Sequence, residues 1–469
     1  MPFDVAKALQ TRHGENFTLH SEHLNPQLVR VLKTLGFDRY YVRGEGCYLY
    51  DDKGDRYLDF LAGFGVHALG RSHPAVKQAL HQALDLDLPN MVQMDCALLP
   101  GLLAEQLVAR AHDGIERVYF CNSGTEATEA AIKFARRSTG RHRVVYCDHA
   151  FHGLTTGSLA LNGGREFKEG FGPLLPGATE VPFGDADALE RELRKGDVAA
   201  FVAEPIQGKG VNVAPEEYWR TAEALCHRHG ALFVADEVQA GMGRTGRFFA
   251  HEHYGVRPDV ITVSKALSGG YVPVGAVLCT DKVFMATYSS IERAMVHSTT
   301  FGRNQLAMVA GLATLQAFDE EGVVEHVALA GQRFERALAP LVERYEMLHE
   351  VRGKGFMIGL VFGKPTSRSL RMRWNALEAV RTALFSQMVV VPLFHRHRIL
   401  TQVAADNMNV IKLLPPLIAG DAEIDCFVGA LDEVLGQAHH GSALLREFGT
   451  TMAKSALRRH GAKPVMTPA

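Results

Sequence analysis

The sequence predicts an α/β protein built on a mostly parallel sheet with helices on both faces. Five short apolar runs are long enough to be buried strands, at residues 118–121, 144–146, 198–203, 232–235 and 260–263. Helical patterns separate several of them, including residues 126–137 and 215–229. Strands that are buried on both faces are continuously apolar, and their alternation with helices is typical of parallel βαβ units.

Segments on both sides of this alternation predict a second, smaller α+β unit. Residues 27–35 have a helical pattern, and residues 48–59 carry apolar runs on either side of a turn at Asp52-Lys53-Gly54, which predicts a β-hairpin. The C-terminal part predicts helices at residues 305–318, 324–345 and 427–435 and strands at residues 356–362 and 389–391. We therefore expect a large domain at residues 66–330 and a small domain formed by residues 1–65 and 331–440.

Residues 441–469 are predicted to form an appended tail helix. Five apolar side chains could share one of its faces, with basic side chains elsewhere: Leu444, Leu445, Phe448, Met452 and Leu457. A helix that packs on the protein is favoured over one that contacts a membrane.

The composition is that of a globular protein and excludes several functional classes. Hydrophobic residues make up 47% and charged residues 22% of the 469 positions, which is enough apolar material for a large core. The formal net charge of −2 excludes a general nucleic-acid binder, which needs a concentrated positive surface. Seven cysteines form no close pair, which favours reduced thiols over a disulfide framework or a metal site.

The same sequence carries no sign of membrane insertion or export. No run approaches the ~20 apolar residues that span a membrane. The first ten residues carry both charge signs and lack the apolar core of a signal peptide. We therefore expect a cytoplasmic protein without a transmembrane segment.

Candidate site residues stand where apolar runs end, and open parallel sheets bind ligands at the carboxyl ends of their strands. Ser123-Gly124-Thr125 lies between an apolar run and a helical pattern, where hydroxyls and backbone N–H groups can form a phosphate cup. Taken alone, this turn predicts an ordinary capped helix equally well. Asp236 closes the run at 232–235, where a carboxylate could hold a metal, a ribose or a protonated ring nitrogen, or could simply cap the turn.

Lys265 and Phe151 add two further groups at strand ends. Lys265 closely follows the apolar run 260–263, where burial lowers the pKa of a lysine and leaves a neutral amine for imine chemistry; a salt-bridged lysine is the alternative. The ring of Phe151 could stack on a flat cofactor or pack in the core. A phosphate cup, a stacking ring, a strand-end carboxylate and an unprotonated lysine together suit a phosphorylated pyridine aldehyde, which an amine holds as an imine and a carboxylate keeps protonated at nitrogen.

On these motifs the chain resembles the class III aminotransferases, pyridoxal-phosphate enzymes of fold type I that include the ornithine, acetylornithine and ω-amine transaminases. The likeness runs from about residue 48 to residue 435. It implies pyridoxal 5'-phosphate as cofactor and a ping-pong transfer of an amino group from a primary amine or amino acid to a keto acid such as 2-oxoglutarate or pyruvate. Lys265 would be the Schiff-base lysine and would then act as general base and acid.

The resemblance also implies a role for each matching residue. Asp236 would pair with the pyridine nitrogen, and Gln239 would contact the phenolic oxygen of the ring. Thr300 would reach the phosphate bound by a neighbouring subunit, which implies a homodimer with shared active sites. The remaining implied cofactor-binding residues form the phosphate turn, the stacking ring with its neighbour, and an adjacent strand end: Ser123, Gly124, Thr125, Phe151, His152 and Glu204.

Two positions depart from the ornithine-type pattern. The arginine that precedes a Pro-Pro pair in those relatives is Lys412 here, and the glutamate that pairs with that arginine is Lys209. Because lysine lacks the bidentate fork of arginine, neither change is conservative. We predict that Lys209 and Lys412 bind substrate, with Arg396 and Arg398 as further candidates for a carboxylate. The donor is then expected to differ from ornithine, as a primary amine or amino-polyol that could carry a bulky or lipid group.

Three rival functions remain open to different degrees. Isomerases of the same fold, such as aminomutases and racemases, share Lys265, Asp236 and the phosphate cup, so the sequence does not separate them from transferases. A binding or regulatory protein on this fold would be expected to lack Lys265. A nucleotide-binding protein would need a glycine fingerprint that Ser123-Gly124-Thr125 does not supply.

Overall fold

A seven-stranded sheet forms the centre of the protein in the computed structural model, which describes residues 2–380, 382–404 and 408–440. The predicted tail helix at 441–469 lies outside these described residues. The order of strands across the sheet is Arg117–Cys121, Gly275–Cys279, Val260–Val263, Leu232–Asp236, Val198–Ala203, Arg143–Cys147 and Ala178–Val181. Gly275–Cys279 runs antiparallel to both of its neighbours, and the other pairs are parallel. The predicted mostly parallel sheet is confirmed.

Alternate side chains of the central strands pack against helices on opposite faces of this sheet. Phe201 and Phe233 join the cluster around Trp219 of helix Glu216–Arg228. Val202 and Val234 join the cluster around Phe134 of helix Gly124–Thr139. All six residues of Val198–Ala203 are buried, which explains its unbroken apolar sequence.

The helices that accompany the central sheet begin after residue 73. The α-helices are Pro74–Asp85, Leu98–Val108, Gly124–Thr139, Thr156–Ala160, Ala186–Leu193, Glu216–Arg228, Asp281–Thr287 and Gln305–Glu320. Three short 3₁₀ helices are Ala250–Tyr254, Lys265–Ser268 and Ile291–Arg293.

The described residues also form two four-stranded sheets. The first contains the predicted hairpin as antiparallel strands Tyr48–Asp51 and Arg56–Asp59, completed by Tyr41–Glu45 and Ile399–Leu400. The parallel pairing of Ile399 with Leu58 joins the N-terminal and C-terminal segments of the chain. The strands of the second sheet are Leu348–Lys354, Met357–Phe362, Val410–Leu413 and Gln402–Val403.

The remaining helices lie at the two ends of the described chain. N-terminal helices are Val5–Thr11, Asn16–His23, Pro26–Leu35 and Ala62–Gly65. C-terminal helices are Val323–Arg344, Arg368–Val380, Leu384–His397 and Asp421–His440. The helices predicted at 305–318, 324–345 and 427–435 are confirmed, whereas the domain boundaries at residues 65, 330 and 440 stay a prediction.

The strand predicted at residues 389–391 is wrong. These three valines lie inside helix Leu384–His397, which is buried along most of its length. A helix that is apolar all round has no amphipathic period, so a short run of β-branched residues within it has the pattern of a buried strand.

A helix can cross a membrane only if it is both long and apolar enough. Among the described residues, no single helix is both long and apolar enough to cross a membrane. One sharply bent pair, Arg368–Ala379 with Leu384–His397, satisfies the criterion only through its combined length and composition.

Candidate active site

A cavity of about 560 Å³ lies at the carboxyl ends of the central strands and brings most of the predicted site residues together. It is lined by residues from separate parts of the chain. Apart from the two arginines offered as further carboxylate binders, all but two of the predicted cofactor- and substrate-binding residues belong to it: Gly124, Thr125, Phe151, His152, Glu204, Lys209, Asp236, Gln239, Lys265 and Lys412. Ser123 and Thr300 are outside the lining. The convergence follows from topology, because parallel strands deliver their carboxyl ends to one edge of the sheet.

Asp236 ends strand Leu232–Asp236 and is held as a carboxylate by three donors. Its Oδ2 lies 2.7 Å from His152 Nδ1, and its Oδ1 accepts hydrogen bonds from Val238 N and Thr262 Oγ1, both at 3.1 Å. Burial alone would raise the pKa of Asp236, but the hydrogen bond and charge of His152 outweigh it and bring that pKa below its ordinary value. The cavity therefore contains a buried, negatively charged oxygen pair.

His152 holds this carboxylate directly, and Glu204 holds the backbone of the neighbouring wall. The His152 side chain is fully buried, which lowers its pKa, but the hydrogen bond that it donates to Asp236 and the negative charge of that carboxylate outweigh burial and raise the pKa. Glu204 accepts backbone N–H bonds from Phe151 at 3.0 Å and from Gly208 at 2.7 Å, while burial raises its pKa. These bonds fix the position of Phe151, whose ring borders the cavity.

Lys265 opens the short helix Lys265–Ser268 directly after Ser264, whose Oγ donates to Val274 O at 2.7 Å. Its φ of +37° lies in the left-handed region, which a lysine adopts only when the surrounding structure compels it. Burial lowers the pKa of its amine, although the charges of Asp236 and Glu204 oppose this effect. Lys265 is therefore a buried amine in a fixed position, and its lowered pKa makes it easier to deprotonate than an exposed lysine.

The phosphate turn is more elaborate than its three-residue pattern indicates. Ser123 caps helix Gly124–Thr139 by accepting from Glu126 N at 3.3 Å. Thr125 Oγ1 lies 2.7 Å from both Thr155 Oγ1 and Ser158 Oγ. Glu129 Oε1 accepts from Thr155 and from two backbone N–H groups of the same turn. No sequence pattern indicates these partners of Thr125, because they lie 30 and 33 residues away, at the start of helix Thr156–Ala160.

Three observations test whether the cavity suits a phosphorylated pyridine aldehyde. A Cβ at Gly124 would lie 2.7 Å from Val238 Cγ1, and one at Gly208 would lie 2.6 Å from Gln239 Oε1, so a side chain at either position would have to displace a neighbour in the wall. His152 Nε2 is a buried polar atom with no hydrogen-bond partner among the described residues. An amine, a carboxylate and an N-terminal helix turn share the cavity, and these are the donors and acceptors that such a molecule requires.

Lys412 and Gln239 are bonded to each other rather than directed at open solvent. Lys412 Nζ donates to Gly208 O at 2.7 Å and to Gln239 Oε1 at 3.2 Å, and Gln239 Nε2 donates to Phe64 O at 3.0 Å. Burial, reinforced by the positive charge of Lys265, lowers the pKa of Lys412 to about 7. Sequence reasoning missed Phe64, which has a positive φ of 62° at the mouth of the cavity.

Lys209 lines the cavity as predicted and forms an ion pair with Glu166, which sequence reasoning missed. The two arginines offered as alternative carboxylate binders lie elsewhere. Arg398 Nη2 lies 2.8 Å from Asp55 Oδ1, and Arg396 contacts Gln437. Thr300 is exposed and lines a separate cavity.

Comparison with protein families matches residues 33–435 to the family described as aminotransferase class-III. The chain belongs to this family. A class III aminotransferase uses pyridoxal phosphate, and the structure has the mostly parallel sheet of fold type I. The lysine, the carboxylate and the phosphate turn therefore lie in the cavity of a pyridoxal-phosphate-dependent enzyme.

Individual relatives agree with this assignment. The chain is 35% identical over 463 residues to the aminotransferase PigE of Serratia sp., and the match covers 92% of this chain but only 54% of PigE. It is 38% identical to the acetylornithine aminotransferase of Methanocaldococcus jannaschii, covering 84% of this chain and 92% of the relative. A PLP-bound amine transaminase from an uncultivated Pseudomonas species superimposes with a TM-score of 0.74 at 29% identity, covering 85% and 95% of the two chains.

Proposed function

We propose that this aminotransferase moves the amino group of a primary amine with an apolar body to a keto acid, with Lys265 as the catalytic amine. The observation that carries the proposal is the meeting of Lys265, Asp236 and the turn at Gly124 in one cavity that several apolar side chains also line. Pyridoxal phosphate, when bound, supplies an aldehyde that condenses with amines and a ring that withdraws electrons from the bond being broken.

Four residues divide the remaining work. Lys265 Nζ, whose pKa is lowered by burial, would take a proton from the donor carbon and then deliver it to the carbon that takes over the amino group. Asp236 keeps a negative charge against the ring nitrogen, and His152 holds Asp236 in place. Phe151 is positioned to stack on the ring, because Glu204 fixes its backbone.

The lining of the cavity supports an apolar donor. Phe64, Leu154, Phe167 and Ala404 line it, the first three with partly exposed side chains. The two lysines at 209 and 412 already have partners in the protein. A hydrocarbon chain or ring gains roughly 25 cal/mol for each Å² of apolar surface that it buries there. An amino-polyol would find few polar partners in this region, so we favour an amine with a hydrocarbon body.

A homodimer and a cytoplasmic location are parts of the same proposal. Thr300 lines a second cavity together with Val92, and several large apolar side chains around it are exposed, including Met94, Leu98 and Phe301. Burial of this patch against a second copy would bring Thr300 to the site of that copy. Sedimentation would test the dimer, and cell fractionation would test the location, which rests on the sequence alone.

The experiment that tests the proposal follows transfer of nitrogen from a donor panel to 2-oxoglutarate or pyruvate by mass spectrometry. We expect hydrophobic primary amines to be used in preference to ornithine and acetylornithine, and Lys265→Ala to abolish transfer. Lys195→Met, which removes a surface partner of Glu192, is the control and should keep activity. Selective use of ornithine or acetylornithine would refute the donor assignment.

The same assay decides between transfer and isomerisation. A transferase produces a new amino acid from the keto acid, whereas an aminomutase or racemase consumes no acceptor. Formation of an isomer of the donor, without any new amino acid from the keto acid, would overturn the proposed function.

A further inference from the structure

Lys209 and Glu166 form an ion pair at the wall of the active-site cavity. The Lys209 side chain is only 9% exposed, and Glu166 is 32% exposed. Lys209 Nζ also lies 3.4 Å from Gly163 O and 5.7 Å from the centre of the Phe167 ring. The pair joins residues 43 positions apart, so the fold and not local sequence creates it.

Gly164 makes this close pairing possible. Its φ of +92° lies in the left-handed region, and a Cβ there would lie 2.5 Å from Glu166 Oε2 and 3.0 Å from Lys209 Nζ. A side chain at residue 164 would therefore displace the ion pair. The backbone is shaped so that Glu166 can reach a buried lysine.

The two partners differ in their relation to the cavity. Lys209 lines it, together with Phe167, whereas Glu166 is outside the lining and partly in water. A buried ammonium group needs a nearby anion. A carboxylate inside the cavity could satisfy this need in place of Glu166, and Glu166 could regain water at a modest cost because it is already partly exposed.

A ping-pong aminotransferase must accept two unlike molecules at one site. An amine donor with an apolar body brings no carboxylate, whereas every keto-acid acceptor brings at least one. A fixed cation in the cavity would favour the acceptor but would be left unpaired beside the donor. A cation with an internal counter-ion avoids this conflict.

We propose that Lys209 binds the carboxylate of the keto-acid acceptor and that Glu166 is an exchangeable counter-ion, which pairs with Lys209 whenever that carboxylate is absent. This inference rests on the proposed function, since it assigns the acceptor end of the same site. Glu166 was not predicted to take part in substrate binding, because no pattern in the sequence singles it out. Phe167 is the neighbour of Glu166, and its ring meets that of Phe151 edge-on at 5.5 Å, so the exchange takes place beside the stacking ring.

The test measures binding of an unreactive dicarboxylate, glutarate, to the holoenzyme by calorimetry, with the uncharged diamide glutaramide as the matched ligand. Lys209→Met should weaken glutarate binding about tenfold or more, because a charge-assisted hydrogen bond is lost. Glu166→Gln should tighten it several-fold, because nothing has to be displaced. Binding of glutaramide should respond to neither change in this way.

Opposite signs for the two variants distinguish exchange from a structural ion pair. If the pair only stabilised the loop, both variants would weaken binding together or leave it unaltered, and either result would overturn the proposal. Lys195→Met, which breaks a surface lysine–glutamate pair, is the control and should bind glutarate as the wild type does.

A kinetic measurement gives a second readout. The KM for the keto acid should rise in Lys209→Met and fall in Glu166→Gln. The two proposals can fail separately, because glutarate binding requires no turnover. If the exchange does not occur, the wild type still transfers amino groups. Loss of transfer in the wild type would instead refute the proposed function.

Discussion

Lys412 offers a direct measure of how strongly the site resists a second positive charge. Its side chain is 5% exposed, and burial beside Lys265 lowers its pKa from 10.5 to about 7. In the unfolded chain the pKa returns to its ordinary value. Between pH 7 and pH 10.5 the unfolded chain therefore holds a proton that the folded chain has largely released, and folding stability must rise with pH across this window.

The size of the effect follows from the two pKa values. Linkage between 10.5 and about 7 makes Lys412 cost about 4 kcal/mol of folding free energy at pH 7 and about 2 kcal/mol at pH 9. Lys412→Met removes this cost but also removes hydrogen bonds to Gly208 O and Gln239 Oε1. To first order the lost bonds change stability equally at both pH values, so the pH-dependent part of about 2 kcal/mol belongs to the titration of Lys412.

Equilibrium urea unfolding of the cofactor-free wild type and Lys412→Met at pH 7 and pH 9 checks this value. The protein has two tryptophans, Trp219 by the central sheet and Trp374 in helix Arg368–Val380, whose fluorescence reports on two parts of the chain. The wild type should gain about 2 kcal/mol relative to the variant between the two pH values. A difference between the proteins that is the same at both pH values would refute the reasoning. Lys195→Met should show no pH-dependent difference.

Two further changes test the cofactor end of the site. Asp236→Ala should retain the cofactor but lower kcat for amino-group transfer by about 10²-fold or more, because the ring loses the fixed negative charge at its nitrogen. Undiminished turnover would contradict the role of Asp236. Gly124→Ala places a Cβ 2.7 Å from Val238 Cγ1, and Val238 N holds Asp236. Its affinity for pyridoxal phosphate should fall about tenfold, by the loss of about 1.4 kcal/mol, in a fluorescence titration, and wild-type affinity would show that the turn yields without cost.

The sequence predicted best those site residues that stand at the end of a buried strand. Asp236 and Lys265 each follow an apolar run, and a parallel sheet gathers such ends at one edge, so their meeting could be predicted without a structure. The strand Gly275–Cys279 was not predicted, and its antiparallel direction could not have been, because its residues are as apolar as those of the parallel strands.

Contacts that cross between distant loops could not be predicted in this way. Glu166 reaches Lys209 through a glycine turn, and Lys412 reaches Gln239 from a strand of a different sheet. Neither contact has a period or a fixed spacing along the chain. The sequence predicted that two lysines stand at unusual positions, but their partners depend on tertiary packing, which only the structure supplies.

The three lysines of the cavity show how one site can hold several amines without accumulating positive charge. Burial lowers the pKa of both Lys265 and Lys412, and the positive charge of Lys265 lowers the pKa of Lys412 further. Lys209 is instead neutralised from outside, by a carboxylate that is itself in contact with water. Only the ion pair of Lys209 can respond to a ligand, because its counter-ion Glu166 can be exchanged for another carboxylate. Lys265 and Lys412 have no such counter-ion among the contacts described above. Recognition of the acceptor is therefore expected at Lys209, and proton transfer at Lys265.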